Sequence, residues 1–133
     1  MQGNYKKKIS QKNARKISKL ISKDFNIPYC QIYYVDDLDK CLGIYSSQKP
    51  AHALIEASKE NSNKIGVVIH ELTHHIEYEV YGHYFNDPQH GYKYQLAKER
   101  MVNWCRRNIS KNPNWYLPLK AVTPLEEMKK FKL

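Results

Sequence analysis

The sequence has few cysteines, and none of them lie at the spacing of a metal or redox motif. The three cysteines, Cys30, Cys41 and Cys105, are odd in number and widely separated. Because no Cys-x-x-Cys pair is present, the chain has neither a zinc ribbon nor a thioredoxin-like motif. Reduced thiols are typical of the cytosol, so we expect a cytoplasmic protein whose cysteines are free.

Long apolar runs are also lacking. No strictly apolar run is longer than the three residues 67–69, whereas a membrane-spanning helix needs about 20. The basic amino terminus lacks the apolar block of a secretory signal. We therefore expect neither a membrane partner nor export by that route.

Acidic residues are outnumbered by basic ones. Lys and Arg total 22 against 13 Asp and Glu, which gives a net charge of +9. This balance favours polyanionic partners such as nucleic acid. One set of basic residues recurs at helical spacing near the amino terminus, at Lys8, Lys12, Arg15, Lys19 and Lys23. We expect this basic stripe to follow the phosphates of nucleic acid, although most such stripes are only solvated helix faces.

The length suits a single domain. The 133 residues, 41% of them hydrophobic, can bury one modest core. We expect one monomeric domain over 1–133, with a folded core at about 5–107 and a basic, proline-containing tail at 108–133. Frequent Lys, Asn, Ile and Tyr indicate an AT-rich genome, such as that of a phage or another mobile element.

The most informative stretch is His70-Glu71-Leu72-Thr73-His74, which reads His-Glu-x-x-His. On a helix, histidines four residues apart share one face and can bind a single tetrahedral zinc ion. Zinc with three protein ligands keeps a water molecule and lowers its pKa from about 15.7 to about 7. Glu71 would act as the general base towards that water.

The motif has a helical setting. Apolar residues recur beside it at Ile65, Ile69, Leu72, Ile76 and Val80. Ser62 or Asn63 would cap the start of this helix, and Gly82 would end it.

The rest of the chain predicts an α+β fold around the motif helix. Its expected elements are a helix at 5–25, strands at 29–35, 41–45 and 52–57, a helix from Asp87-Pro88 to about 107, and a short helix at 125–132. The acidic residues Asp36, Asp37 and Asp39 suit a polar turn better than a cation site. From residue 110 onward we expect an irregular tail.

A catalytic zinc needs a third protein ligand. His75 points about 100° away from His74 around the helix and is excluded. His83 lies in a loop after the helix, and Glu99 lies on the next helix. We favour His90, which begins the inward stripe of that helix, because packing of the two helices would bring it to the metal.

Two motifs together resemble a known family. His70-Glu71-x-x-His74 followed by His90-Gly91-Tyr92-Lys93-Tyr94 resembles the SprT-like metalloprotease domain, the minimal zincin type that Spartan proteases also contain. The resemblance covers about 5–107 and implies an amino-terminal helix, a small three-stranded sheet, the motif helix and a helix carrying the third zinc ligand, His90. Tyr94 stands where Phe or Trp is more usual, and the zinc ribbon of many bacterial relatives is missing.

The resemblance implies a zinc-dependent endopeptidase that cleaves DNA-associated proteins, with His70, His74 and His90 as ligands and Glu71 as base. The strand at 52–57 would pair with the extended substrate, and His83, Tyr78 or Tyr92 would stabilise the tetrahedral intermediate. One alternative is a nucleic-acid-binding accessory protein with a structural zinc, for which His83 would supply the fourth ligand. Another is a regulatory protease that cuts one dedicated repressor.

Overall fold

The structure is a computed structural model that describes residues 8–38, 41–58, 65–84 and 86–108. These residues form a mixed α+β fold with three α-helices and one three-stranded sheet, as the sequence predicts. In chain order the elements are α1 (Gln11–Phe25), β1 (Gln31–Val35), β2 (Gly43–Ser46), β3 (His52–Glu56), α2 (Ile65–Ile76) and α3 (Tyr92–Asn108), with a π-helical turn (Glu77–Tyr81) that continues α2. The predicted tail, including the short helix at 125–132, lies outside the described residues, as do Asp39 and the predicted caps Ser62 and Asn63.

Helix α1 begins later than predicted. The Ser10 side chain accepts a hydrogen bond of 3.1 Å from the Asn13 N–H, which makes Ser10 the N-cap. The helix ends at Asn26, whose left-handed backbone (φ 55°) lets its N–H reach the Lys23 carbonyl. Lys8 therefore precedes the helix, and the prediction that it belongs to the helical stripe is wrong.

The strand order in the sheet is β1-β3-β2, with β3 parallel to β1 and antiparallel to β2. Because β3 is central, neighbouring strands already bind its backbone on both sides. The prediction that the strand at 52–57 pairs with a substrate is therefore wrong, and within the described part of the chain β2 is the open edge strand instead.

Side chains of α1 protect the opposite edge of the sheet. Arg15 Nε donates to the Ile32 carbonyl at 2.9 Å, and the Tyr34 N–H donates to Gln11 Oε1 at 2.7 Å. These groups of β1 face away from β3, so α1 satisfies backbone atoms that would otherwise attract another strand. Edge β1 is closed, whereas no described strand or helix pairs with the outer edge of β2.

The core lies between the sheet and the helices, with α2 at its centre. Val68, Ile69, Leu72 and Ile76 of α2 are fully buried, as the predicted apolar stripe requires. The same buried cluster includes residues of α1 (Ile17, Ile21), the sheet (Ile32, Ala53, Ile55) and α3 (Ala97, Met101, Trp104). Trp104 Nε1 also donates to Asp24 at 2.8 Å, which joins α3 to the end of α1.

The segment between α2 and α3 differs from the sequence prediction. Gly82 does end the motif helix, but through a π-type bond of 2.9 Å from its N–H to the Glu77 carbonyl, with φ +75°. Helix α3 begins at Tyr92 rather than at Asp87-Pro88. Asp87 instead stabilises a turn by accepting from the Tyr84 N–H (2.8 Å) and from Lys93 Nζ (2.9 Å). In the described parts of the chain, no helix combines the length and the apolar character needed to cross a membrane.

Candidate metal centre

Three histidines converge between α2 and α3. His70 and His74 lie one turn apart on the face of α2 that packs against α3. The Nε2 atom of His90 lies 3.2 Å from His70 Nε2 and 3.1 Å from His74 Nε2. The structure thus brings together the three residues that the sequence analysis favours as ligands, and among the described residues they form a group able to hold a metal ion.

His90 lies in a loop turn that precedes α3. The prediction that it lies within the start of that helix is wrong. Its backbone is left-handed, with φ 59°, an uncommon conformation for a residue other than glycine. A Cβ atom on Gly91 would lie 2.6 Å from Pro88 Cγ and 3.1 Å from the Pro88 carbonyl oxygen. Glycine is therefore required after His90, which explains why the His-Gly pair occurs together in this turn.

Burial favours the neutral, metal-binding form of all three imidazoles. Burial lowers the pKa of His70 to about 4 and that of His74 to about 3, and the neighbouring histidines add to both effects. Burial also lowers the pKa of His90. Neutral imidazole nitrogens are the usual nitrogen ligands of zinc.

The donor set fits zinc. With Zn–N bonds of about 2.0–2.1 Å, two ligands of a tetrahedral ion are separated by about 3.3 Å. The observed separations of 3.1 and 3.2 Å are close to this value. A neutral imidazole carries only one N–H group, so three Nε2 atoms that face one another can form few hydrogen bonds among themselves. A bound cation would instead accept the lone pairs of all three nitrogen atoms.

The other ring nitrogens of two of these histidines contact side chains that the sequence analysis missed. Tyr94 Oη lies 3.0 Å from His70 Nδ1, and Glu77 Oε1 lies 3.6 Å from His74 Nδ1. A hydrogen bond to the second ring nitrogen selects the tautomer and orientation of a metal-binding histidine. Tyr94 is at hydrogen-bond distance from His70, whereas Glu77 is at ion-pair distance from His74. The sequence offers one signal for Glu77, because it follows His74 by three residues and so lies on the same side of the helix.

Glu71 lies beside the histidines in a cleft of about 430 Å³, and its neighbours in the wall include Gly43, Tyr45, Tyr78 and His83. Only 6% of the residue is exposed, and burial raises the pKa of its carboxyl to about 7. A Cβ atom on Gly43 would approach Glu71 Oε2 to 2.9 Å. The absence of a side chain at position 43 therefore gives the Glu71 carboxylate its room.

None of the residues that were weighed as other ligands belongs to the group of three histidines. His75 is buried, with Nε2 2.6 Å from the Pro28 carbonyl oxygen and Nδ1 2.7 Å from Tyr45 Oη. His83 Nδ1 contacts Glu77 Oε2 at 2.5 Å, and Glu99 is exposed on α3. Of the residues weighed for stabilising the intermediate, His83 and Tyr78 line the cleft, whereas Tyr92 is 76% exposed and is not among the lining residues.

The basic residues of α1 are arranged differently from the predicted stripe. Lys12, Lys19 and Lys23 are exposed, but Arg15 is partly buried, where it binds the Ile32 carbonyl. Lys16 is also exposed and lies within about 60° of those three lysines around the helix. The exposed basic face therefore consists of Lys12, Lys16, Lys19 and Lys23, which we call the lysine face.

In comparisons with known proteins, no family model matches the chain, and neither a curated protein nor a solved structure matches it. The resemblance to the SprT-like domain therefore depends on the two histidine motifs. The arrangement of His70, Glu71, His74 and His90 carries the functional argument.

Proposed function

We propose that the chain is a zinc-dependent endopeptidase of the SprT-like type, a minimal zincin. His70, His74 and His90 would hold Zn²⁺, and Glu71 would be the general base. The observation that carries this proposal is the convergence of three Nε2 atoms, two of which belong to histidines that line the same open cleft as the buried Glu71 carboxylate. A structural carboxylate would not need to line that cleft.

Zinc bound to three histidines acidifies a water molecule and polarises a carbonyl group, which is the chemistry that peptide hydrolysis requires. Glu71 would take a proton from the attacking water at its carboxylate and return that proton to the leaving nitrogen. Burial suits the Glu71 carboxylate to both tasks, because it raises the pKa of this group above its ordinary value and so makes it a better proton acceptor.

The open edge of β2 would bind the substrate. The Leu42 carbonyl accepts from the Glu56 N–H at 2.9 Å, so the backbone groups of Leu42 and Ile44 are directed towards β3. Since these directions alternate along an antiparallel strand, the backbone groups of Gly43 and Tyr45 face the open edge. Both residues line the cleft, so an extended peptide that added a strand there would lie beside Glu71.

The lysine face supports the proposal that the substrates are proteins associated with DNA. Its four exposed lysines follow one another at steps of four, three and four residues, with no acidic residue between Lys12 and Lys23. Binding through such a face is independent of sequence and weakens with salt, because each phosphate contact releases a counterion. Equal affinity for single-stranded DNA at low and high salt would remove DNA from the proposal.

Two alternatives make different demands on the same site. A structural zinc needs a fourth protein ligand, and His83, its best source, is not part of the group that His70, His74 and His90 form among the described residues. A regulatory protease with one dedicated repressor would use the same residues. DNA-stimulated cleavage of several unrelated DNA-binding proteins would favour the general enzyme over the dedicated one.

The decisive experiment combines metal analysis with proteolysis. The wild type should contain about one zinc ion per chain, and His90→Ala should lose most of it. His52→Ala is the matched control, because His52 lies on β3, where its Nδ1 contacts the Pro50 carbonyl oxygen at 3.2 Å. Digests of casein and of a DNA-binding protein, with and without single-stranded DNA, then measure the activity. A metal-free wild type would overturn the proposal.

A further inference from the structure

A buried carboxylate lies behind the metal centre, and the chemistry proposed above does not use it. Glu77 is 1% exposed, and its two oxygens face two different histidines. Oε2 lies 2.5 Å from His83 Nδ1, while Oε1 lies 3.6 Å from His74 Nδ1. Within the described part of the chain, Oε1 has no hydrogen-bond partner. A charged side chain is costly to bury unless it is paired, so its retention here calls for a role.

The π-helical turn brings the second histidine back to Glu77. Glu77 begins this turn, and Gly82, with φ +75°, ends it by donating to the Glu77 carbonyl. The positive φ of Gly82 reverses the chain, so that His83 folds back over Glu77. The His83 ring also stacks on the Tyr78 ring, with the ring centroids 4.7 Å apart and an interplanar angle of 16°. The two contacts fix both the position and the plane of the His83 ring.

His83 lines the same cleft as Glu71 and the two histidines of the motif helix, His70 and His74. Because Nδ1 is directed at Glu77, Nε2 on the opposite edge of the ring is the polar atom left for a molecule in the cleft. In the imidazolium form both nitrogens are donors, so Nδ1–H would bind Glu77 and Nε2–H would be free to donate.

We propose that Glu77 is a positioning residue shared by two histidines: it orients His74 as a metal ligand, and it holds His83 where Nε2–H donates to the carbonyl oxygen of the scissile peptide. This inference rests on the proposed peptidase function. His83 would be the catalytic member of the pair, since it contacts the substrate. The donor stabilises the negative charge that develops on that oxygen as water adds to the carbonyl carbon.

The first test separates metal binding from turnover in Glu77→Gln. Zinc affinity, measured by competition with a chromophoric chelator, should fall about 10- to 100-fold, the range found when a group behind a metal ligand is lost. Glu79→Gln is the matched control, because Glu79 lies in the same π-helical turn but pairs with Lys49 at 3.7 Å. Unchanged affinity in Glu77→Gln, with apo thermal unfolding like that of the control, would overturn the positioning role.

The second test concerns His83. His83→Gln should keep the zinc affinity of the wild type but lower kcat about 100- to 1,000-fold, as expected when a donor to the oxyanion is removed, with KM little changed. A wild-type kcat in His83→Gln, or a loss confined to KM, would refute the catalytic role. An inactive wild type would overturn both the proposed peptidase function and the catalytic role of His83. The zinc-affinity comparison for Glu77→Gln would still decide whether Glu77 positions His74.

A third measurement needs no substitution and so does not depend on a variant that folds. Nitrogen NMR of the zinc-loaded wild type should show a proton on Nδ1 of both His74 and His83, since both atoms face Glu77. A deprotonated Nδ1 in either histidine would contradict the shared carboxylate.

Discussion

Gly43→Ala should lower peptidase turnover while leaving zinc binding intact. The new Cβ atom would lie 2.9 Å from Glu71 Oε2 and 3.1 Å from Glu71 Cγ, and 3.0 Å from Val67 Cγ1. Ordinary contacts are about 3.5–4.0 Å, so the Glu71 side chain must move by about 0.5–1 Å. It is the more mobile neighbour, because Val67 has only one side-chain torsion.

The displacement of the Glu71 side chain determines how far kcat should fall. A catalytic group misplaced by about 1 Å can cost about 100-fold in rate, so we expect kcat to fall by about 10- to 100-fold. Overpacking should also destabilise the fold by about 1–3 kcal/mol, because Gly43 lies between β3 and α2. Zinc affinity should not change, since the contacts involve neither His70, His74 nor His90.

The assay is steady-state cleavage of a peptide or casein substrate, run beside chelator competition and thermal unfolding of the same preparations. Gly91→Ala, at the other glycine that borders the site, is the contrasting variant, because it should lower activity through a loss of zinc binding. A Gly43→Ala enzyme with wild-type kcat would show that Glu71 is not the base or that its position is not constrained by β2. Loss of zinc in step with activity would equally refute the reasoning.

Three further predictions concern single positions. Glu71→Gln should retain zinc, as measured by metal analysis, but lower cleavage by about 100- to 10,000-fold because it cannot accept a proton; full activity would exclude Glu71 as the base. Gly91→Ala should weaken zinc binding in chelator competition, since its Cβ would displace the turn that carries His90; wild-type affinity would contradict this. His75→Ala should lower the free energy of unfolding in urea by about 2–4 kcal/mol, because it leaves a cavity and removes the partner of the Tyr45 hydroxyl. A loss below about 1 kcal/mol would show that His75 is not a core residue.

The sequence analysis succeeds where a feature depends on local periodicity. The spacing of His70 and His74 predicts that both lie on one face of a helix, and the apolar stripe predicts which side of α2 is buried. The α+β class follows from similar local patterns, and the strand positions are correct to within about two residues. The choice of His90 over His83 and Glu99 used the same logic, and the structure places His90 against the other two histidines.

The first residues of helices are less predictable, because several nearby residues can serve as the N-cap. Ser10 and not an earlier residue caps α1, which removes Lys8 from the helix. Asp87 and Pro88 have the residue types of a helix start, but Asp87 forms a turn with Tyr84 and Lys93 instead. At Asp87 the local signal was present, and an alternative use of the same side chain prevailed.

The amino-acid sequence by itself determined the helical setting of the His-Glu-x-x-His motif, because side-chain direction on a helix repeats with a fixed period. Only the tertiary structure decided that β2 is the open edge, that Arg15 serves the sheet rather than the lysine face, and that Glu77 lies between His74 and His83. These arrangements depend on strand order, on a π-helical turn and on one positive φ angle. Each of them joins residues through contacts that no short-range periodicity encodes.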